Sequence, residues 1–140
     1  MAVIDLSASD LSRRIAAGDL APSEVMAAFL RQIGDVNPEL NAIVSMRDPD
    51  VLMAEARAAD DAPRKGWLHG LPFAVKDLQA VAGLRCTSGF PGFAEVVPEA
   101  DDMVPRRLRA AGAIFIGMTN VPEFGLGSHS FNPVHGVTGN

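Results

Sequence analysis

At 140 residues and 48% hydrophobic content, the chain is of single-domain size and carries enough apolar surface for a core, which excludes a disordered tail. Twelve Lys+Arg against 17 Asp+Glu give a formal net charge of -5, and that field opposes phosphate backbones and anionic lipid, so neither nucleic acid nor a membrane is an expected partner. The single cysteine, Cys86, excludes an intramolecular disulfide and a multi-cysteine metal site, and Asp5 and Asp10 stand where a secretory signal would carry basic charge; a cytoplasmic location is expected.

Taken in order, Leu6-Ser7-Ala8-Ser9-Asp10-Leu11 reads as a helix start, with Ser7 as N-cap, Asp10 completing a capping box and Leu6 stapled onto Leu11. Leu11 and Ile15 share a face, and Gly18 supplies a stop. Pro22 suits the first turn of a second helix, on which Val25, Phe29, Ile33 and Val36 form one apolar stripe, and Asn37-Pro38 is expected to end it. Ile43 and Val44 form a weak strand. Asp48-Pro49 opens a third helix over Val51 to Ala59, which fades into a polar linker reaching Gly66.

Pro72-Phe73-Ala74-Val75 has no helical period and is predicted to be a strand buried on both faces. A later helix places Val104, Leu108 and Ala111 on its apolar side and Arg106, Arg107 and Arg109 on its solvated side. Gly112 closes it, and Ala113 to Met118 is the clearest buried strand of the chain. Strand, connection, helix and strand make a βαβ crossover, so the fold class is α/β: N-terminal helices, then the start of a mixed or parallel sheet with covering helices. The boundary falls between a helical part, 1–66, and an α/β part, 67–140. From Thr119 to Asn140 the glycines and prolines preclude a long helix or a regular strand, and a loop is expected over the carboxyl end of the last strand, where open α/β sheets bind ligands.

Four segments in register, Gly70-Leu71-Pro72-Phe73-Ala74-Val75-Lys76-Asp77, Cys86-Thr87-Ser88-Gly89, Leu108-Arg109-Ala110-Ala111-Gly112-Ala113 and Gly117-Met118-Thr119-Asn120-Val121-Pro122-Glu123-Phe124, resemble the N-terminal part of an amidase-signature enzyme. The resemblance runs from about Ser7 to Asn140. It implies an amide hydrolase with a Ser-cisSer-Lys triad whose lysine is Lys76, acting through an acyl-enzyme on a small-molecule amide without a cofactor. It further implies that the two serines and the oxyanion-hole amides lie in a glycine- and serine-rich segment beyond Asn140. The 140 residues are therefore expected to be the N-terminal portion of one amidase-signature domain, inactive alone, whose partner is the remainder of the domain or a further copy in a homo-oligomer. The alternative is a non-catalytic truncated paralogue or subunit that acts by binding a partner chain.

The chemistry accounts for a lysine at the end of an apolar strand. An ammonium cannot take a proton from serine, so the lysine must be neutral for part of the cycle, and burial against Phe73 and Val75 would favour the neutral form. Asp77 would oppose this if it paired with the ammonium, but adjacent side chains of a strand point to opposite faces. Without the motif, Lys76 reads as a solvated strand-terminal lysine. Cys86 with His129 or His135 reads as a small buried thiol more readily than as a Cys-His nucleophile, and His69, His129 and His135 lack ligand spacing for a metal. Gly125-Leu126-Gly127 does not sit between a strand and a helix as a nucleotide loop would. The arginine cluster is balanced by Glu99, Asp101 and Asp102, and Thr119, Asn120 and Ser128 serve turns more readily than substrate.

Overall fold

The structure is a computed structural model and describes residues 2–139. It consists of two compact units: Met1–Asp35 with Asp48–Phe73 and Arg107–Ile116, and Val36–Arg47 with Ala74–Arg106 and Gly117–Asn140.

In the first unit, α1 spans Ala8–Ala17. The Ser7 hydroxyl accepts the Asp10 N–H at 3.1 Å and donates to the Asp10 carboxylate at 2.6 Å, a contact that holds this carboxyl below its usual range. Gly18 ends the helix in the left-handed region at φ 79, as only glycine does without strain. The helix α3, Pro49–Asp60, starts at Asp48, whose carboxylate accepts from Asp50 N–H and Val51 N–H, and buries Leu52 and Ala56. The expected polar linker after it is tied back by the buried His69: Ala59 O lies 2.9 Å from Nε2, while Nδ1 accepts the Lys65 N–H at 3.4 Å. Both ring nitrogens are thereby used, with Nε2 carrying the hydrogen. Gly112 (φ 99) is required by close approach, since a Cβ there would lie 2.7 Å from the His69 backbone.

The helix α2, Pro22–Leu40, buries Val25 and Ile33 as the stripe predicts, together with Met26 and Ala28. It does not stop at Asn37-Pro38: Pro38 lies inside the last turn. The reason is that Asn37 organises the exit from within the helix, its Oδ1 accepting the N–H groups of Ala42 and Ile43 and its Nδ2 donating to Ile43 O. A proline this close to the end forfeits one ladder bond without breaking the element.

The sheet order is β1 (Ile43–Val44), β3 (Ile114–Thr119), β2 (Pro72–Lys76). The pair β1/β3 is antiparallel, with Ile43 opposite Thr119 and Val44 opposite Met118. Ile114 N–H donates to Leu71 O at 2.9 Å and Asp77 N–H to Thr119 O at 3.0 Å, so partners rise in number together and β2/β3 is parallel. The sheet is thus mixed, within the expected class. The central β3 is buried from Ile114 to Met118; on β2 only Val75 is buried, Pro72, Phe73 and Ala74 are half-buried and Lys76 is exposed. The expectation of a strand buried on both faces fails because β2 is the outer neighbour of β3 among the described strands.

The helix α4, Met103–Ala110, lies where the spacing predicts it to within a residue and buries Pro105, whereas Val104 is exposed and Leu108 and Ala111 are half-buried. Arg109 is not simply solvated: its guanidinium lies 4.7 Å from the centroid of the Phe115 ring. The terminal segment also contains regular structure that the glycine and proline content hid, a short antiparallel hairpin of β4 (Phe131–Asn132) and β5 (Gly136–Val137). Asn132 makes it possible, its Oδ1 accepting the N–H groups of Val134 and His135 across the turn. Asn140 lies outside the described residues.

Candidate functional site

The strand β2 ends at Lys76, whose carbonyl accepts Leu78 N–H at 2.6 Å and Gln79 N–H at 3.0 Å, so the chain turns immediately after Asp77. The alternation of strand side chains separates the two residues as expected. Lys76 is exposed, not buried against Phe73 and Val75, and Asp77 is 0% exposed.

The buried aspartate is the centre of the arrangement. Its Oδ1 accepts Thr87 N–H at 2.8 Å and its Oδ2 accepts the Thr87 hydroxyl at 2.5 Å. His135 Nε2 lies 3.5 Å from Oδ2 and 3.2 Å from Thr87 Oγ1. Thr87 has one hydroxyl proton and spends it on Asp77, so its oxygen accepts Gly89 N–H at 3.0 Å and the His135 Nε2–H. This assigns His135 the Nε2–H form. Burial, the largest influence, favours its neutral state and lowers its affinity for a second proton; Asp77 opposes this and Arg85 adds to it.

The turn below Thr87 is strained. Ser88 (φ 51) and Gly89 (φ 65) are successive left-handed residues, and a Cβ on residue 89 would lie 2.9 Å from Asn132. Ser88 O is held by Phe124 N–H at 2.8 Å, and Phe124 is itself left-handed at φ 52. Around this clamp the Phe90 ring meets Phe93 edge-on at 5.3 Å and lies tilted against Phe124 at 5.1 Å between ring centroids.

A second polar cluster continues the first. Asn120 Oδ1 accepts from Val121 N–H and Asn132 Nδ2, while Asn120 Nδ2 donates to Gly136 O and Thr138 Oγ1. Asn120 therefore serves the terminal segment and not open solvent. Ser128 is exposed and bonds His129 Nδ1 at 2.9 Å; Thr119 offers its carbonyl to Asp77. Cys86 donates to Gln79 O at 3.7 Å, burial and then Asp77 push its thiol up to about 11, and no hydrogen bond joins it to His129 or His135 among the described residues. A Cys-His nucleophile is not assembled. Gly125 is the last residue of a short 3-10 helix, Glu123–Gly125, Gly127 follows at φ 151, and the next element is β4 and not the helix a nucleotide loop would open.

Sequence reasoning placed Lys76 at the strand end but missed Asp77, Thr87 and His135 as partners. They lie 10 and 48 residues apart along the chain. The available signal was the strand alternation, which sends Asp77 inward whenever Lys76 points out.

The profile of the Amidase family matches residues 24–140. The chain is 38% identical over 138 residues to an acylamidase of Rhodococcus erythropolis, covering 96% of this chain and 29% of the relative. It is 34% identical over 142 residues to one subunit of the glutamyl-tRNA(Gln) amidotransferase of Streptomyces coelicolor, covering 99% of this chain and 28% of that one. Among solved structures, fatty acid amide hydrolase superposes with a TM-score of 0.90 at 26% identity, over 99% of this chain and 25% of its own. The chain thus spans between a quarter and a third of the length of these proteins.

Proposed function

Because the chain belongs to the amidase-signature family, we propose that it is the lysine-bearing, N-terminal portion of one amide-hydrolase domain, helical over 1–66 and α/β over 67–140. In this reading Lys76 is the general base. It takes a proton, through one serine, from a second serine that attacks the amide carbonyl; an acyl-enzyme forms, ammonia or an amine leaves, and water completes hydrolysis. Both serines and the oxyanion-hole donors belong to residues beyond this sequence.

The observation that carries the reading is the position of Lys76: exposed, at the carboxyl end of a strand parallel to β3, inside the span matched by the family profile. Carboxyl ends of such strands are where α/β folds assemble chemistry. The resemblance puts the serines that Lys76 would serve in chain outside these residues, and an exposed side chain at the strand end is open to them. Phe93, Phe124 and Leu126, 42%, 46% and 82% exposed, offer apolar surface for the same remainder. The substrate is a small carboxylic amide, processed in the cytoplasm.

The test compares residues 1–140 with the longest natural chain that carries them. The short chain is expected to hydrolyse no simple aliphatic or aryl amide, and the long chain to do so until Lys76→Ala abolishes turnover. Hydrolysis by the short chain, lost on Lys76→Ala, would sink the fragment reading; full activity of the long chain with Lys76→Ala would sink the base.

A further inference from the structure

We propose that Asp77 is a positioning residue for the reaction at Lys76: through Thr87 and His135 it fastens the carboxyl end of β2 to the strained 86–89 turn and to the hairpin 131–137. The inference rests on the reading of Lys76 as the base.

Three features of the geometry carry it. First, Asp77 extends the β2/β3 pairing by one bond beyond Lys76, its N–H donating to Thr119 O at 3.0 Å, so the backbone on the far side of Lys76 is held by Asp77 itself. Second, the buried carboxylate accepts two bonds from Thr87, N–H to Oδ1 and Oγ1–H to Oδ2, and the His135 Nε2–H, given to Thr87 Oγ1, lies beside it at 3.5 Å from Oδ2. An acceptor of this shape and charge selects one orientation of the turn and one of the imidazole. Third, the turn is held again by Phe124 N–H to Ser88 O and the hairpin is closed on itself by His135 N–H to Asn132 Oδ1, so the Thr87 hydroxyl, bonded to His135 Nε2, couples two segments that are each fixed internally. The strain at Ser88 and Phe124 persists only where surrounding bonds over-determine it, and the Asp77 carboxylate provides two of them.

The functional consequence concerns distance. The segment from Phe131 to Thr138 leads directly to residue 140, and the reading above places the serines after it. A lysine on β2 meets a serine on that following segment in one geometry only if the two are tied together, and the tie runs from Asp77 at the β2 terminus through its two bonds to Thr87, and from the Thr87 hydroxyl oxygen to His135 of the hairpin. Near-attack alignment is sensitive to displacements of about 1 Å, which cost on the order of 100-fold in rate.

The experiment is steady-state kinetics of the longest natural chain carrying this sequence on an aryl amide, with thermal unfolding of each variant. Asp77→Asn puts an NH2 against donors and Thr87→Val removes the hydroxyl at nearly constant shape. Each is expected to lower kcat roughly 100-fold with KM within about threefold, in protein that still unfolds cooperatively. Thr87→Ser, which keeps the hydroxyl, is expected to recover most of the rate lost in Thr87→Val. Wild-type kcat in Asp77→Asn, or no recovery with Thr87→Ser, overturns the proposal. Loss of folding in Asp77→Asn and Thr87→Val alike also overturns it, by assigning the cluster to stability alone. Lys76→Ala in parallel separates the two ideas: if it is fully active, the base reading fails; if it is inactive while Asp77→Asn is not, only the positioning role fails.

Discussion

The two compact units differ in what they bury. In the first, the fully buried side chains are apolar, among them Val25, Met26, Leu52 and Phe115, and polar groups are settled by helix caps at Ser7, Asp48 and Gly18 and by two buried side chains, Ser12 donating to Trp67 O and His69 bonding Ala59 O and Lys65 N–H. In the second, Asp77, Thr87, Asn120 and Asn132 are buried beside Val81, Met118 and Val121, and their bonds span 10 to 18 residues and more. Apolar burial tolerates repacking, whereas a donor or acceptor in a low-dielectric interior has one acceptable arrangement. A unit that must hold an exact backbone path at the end of β2 uses the second kind of interior.

The largest effect should come from Phe115→Ala, which removes a 1% exposed ring that meets Phe73 edge-on at 6.5 Å between centroids. About 4 kcal/mol of stability should be lost in denaturant unfolding; a loss below about 1 kcal/mol would mean that the first unit does not depend on apolar packing. Next, Thr87→Val keeps volume and adds apolarity, yet takes the hydroxyl donor from Asp77 Oδ2 and the acceptor from Gly89 N–H. A cost of about 2 kcal/mol is expected, and an unchanged midpoint would erase the contrast between the units. Ser7→Ala should cost about 1 kcal/mol, the usual value of a lost N-cap.

The smallest effect is a pH slope. The unfolded imidazole of residue 135 titrates near its ordinary value of 6.5, and the folded one only at lower pH, because burial favours the neutral ring. The unfolded state therefore binds more protons as pH falls through this range. Stability present above pH 6.5 should decline as pH drops towards the folded value, and His135→Gln should flatten that decline. An identical slope in the variant would show that another group controls it.

Much of this was legible in the sequence wherever one local rule acted alone. Ser7, Gly18, Asp48 and Pro22 marked helix ends because caps are satisfied within four residues. Pro38 misled because the rule against proline in helices weakens in the last turn, where Asn37 redirects the chain. The hairpin at 131–137 was missed because its turn is built by a side chain, Asn132, on its own backbone, a bond that composition does not report. Burial of β2 was overestimated because an apolar run states what a strand can bury, not how many neighbours it has.

The sequence by itself determined the α/β class, the helix starts, the central strand, predicted over Ala113 to Met118 and observed at Ile114–Thr119, and the family, since each rests on residue order over short windows. Tertiary structure alone decided that the aspartate beside Lys76 meets Thr87 and His135. Strand alternation predicts that Asp77 turns away from Lys76, but which donors wait on the other face depends on chain that returns 10 residues after Asp77, at Thr87, and a further 48 residues on, at His135. Loop closure costs entropy and leaves no periodic trace in the sequence, so the partners of a buried charge become visible only once the chain is folded.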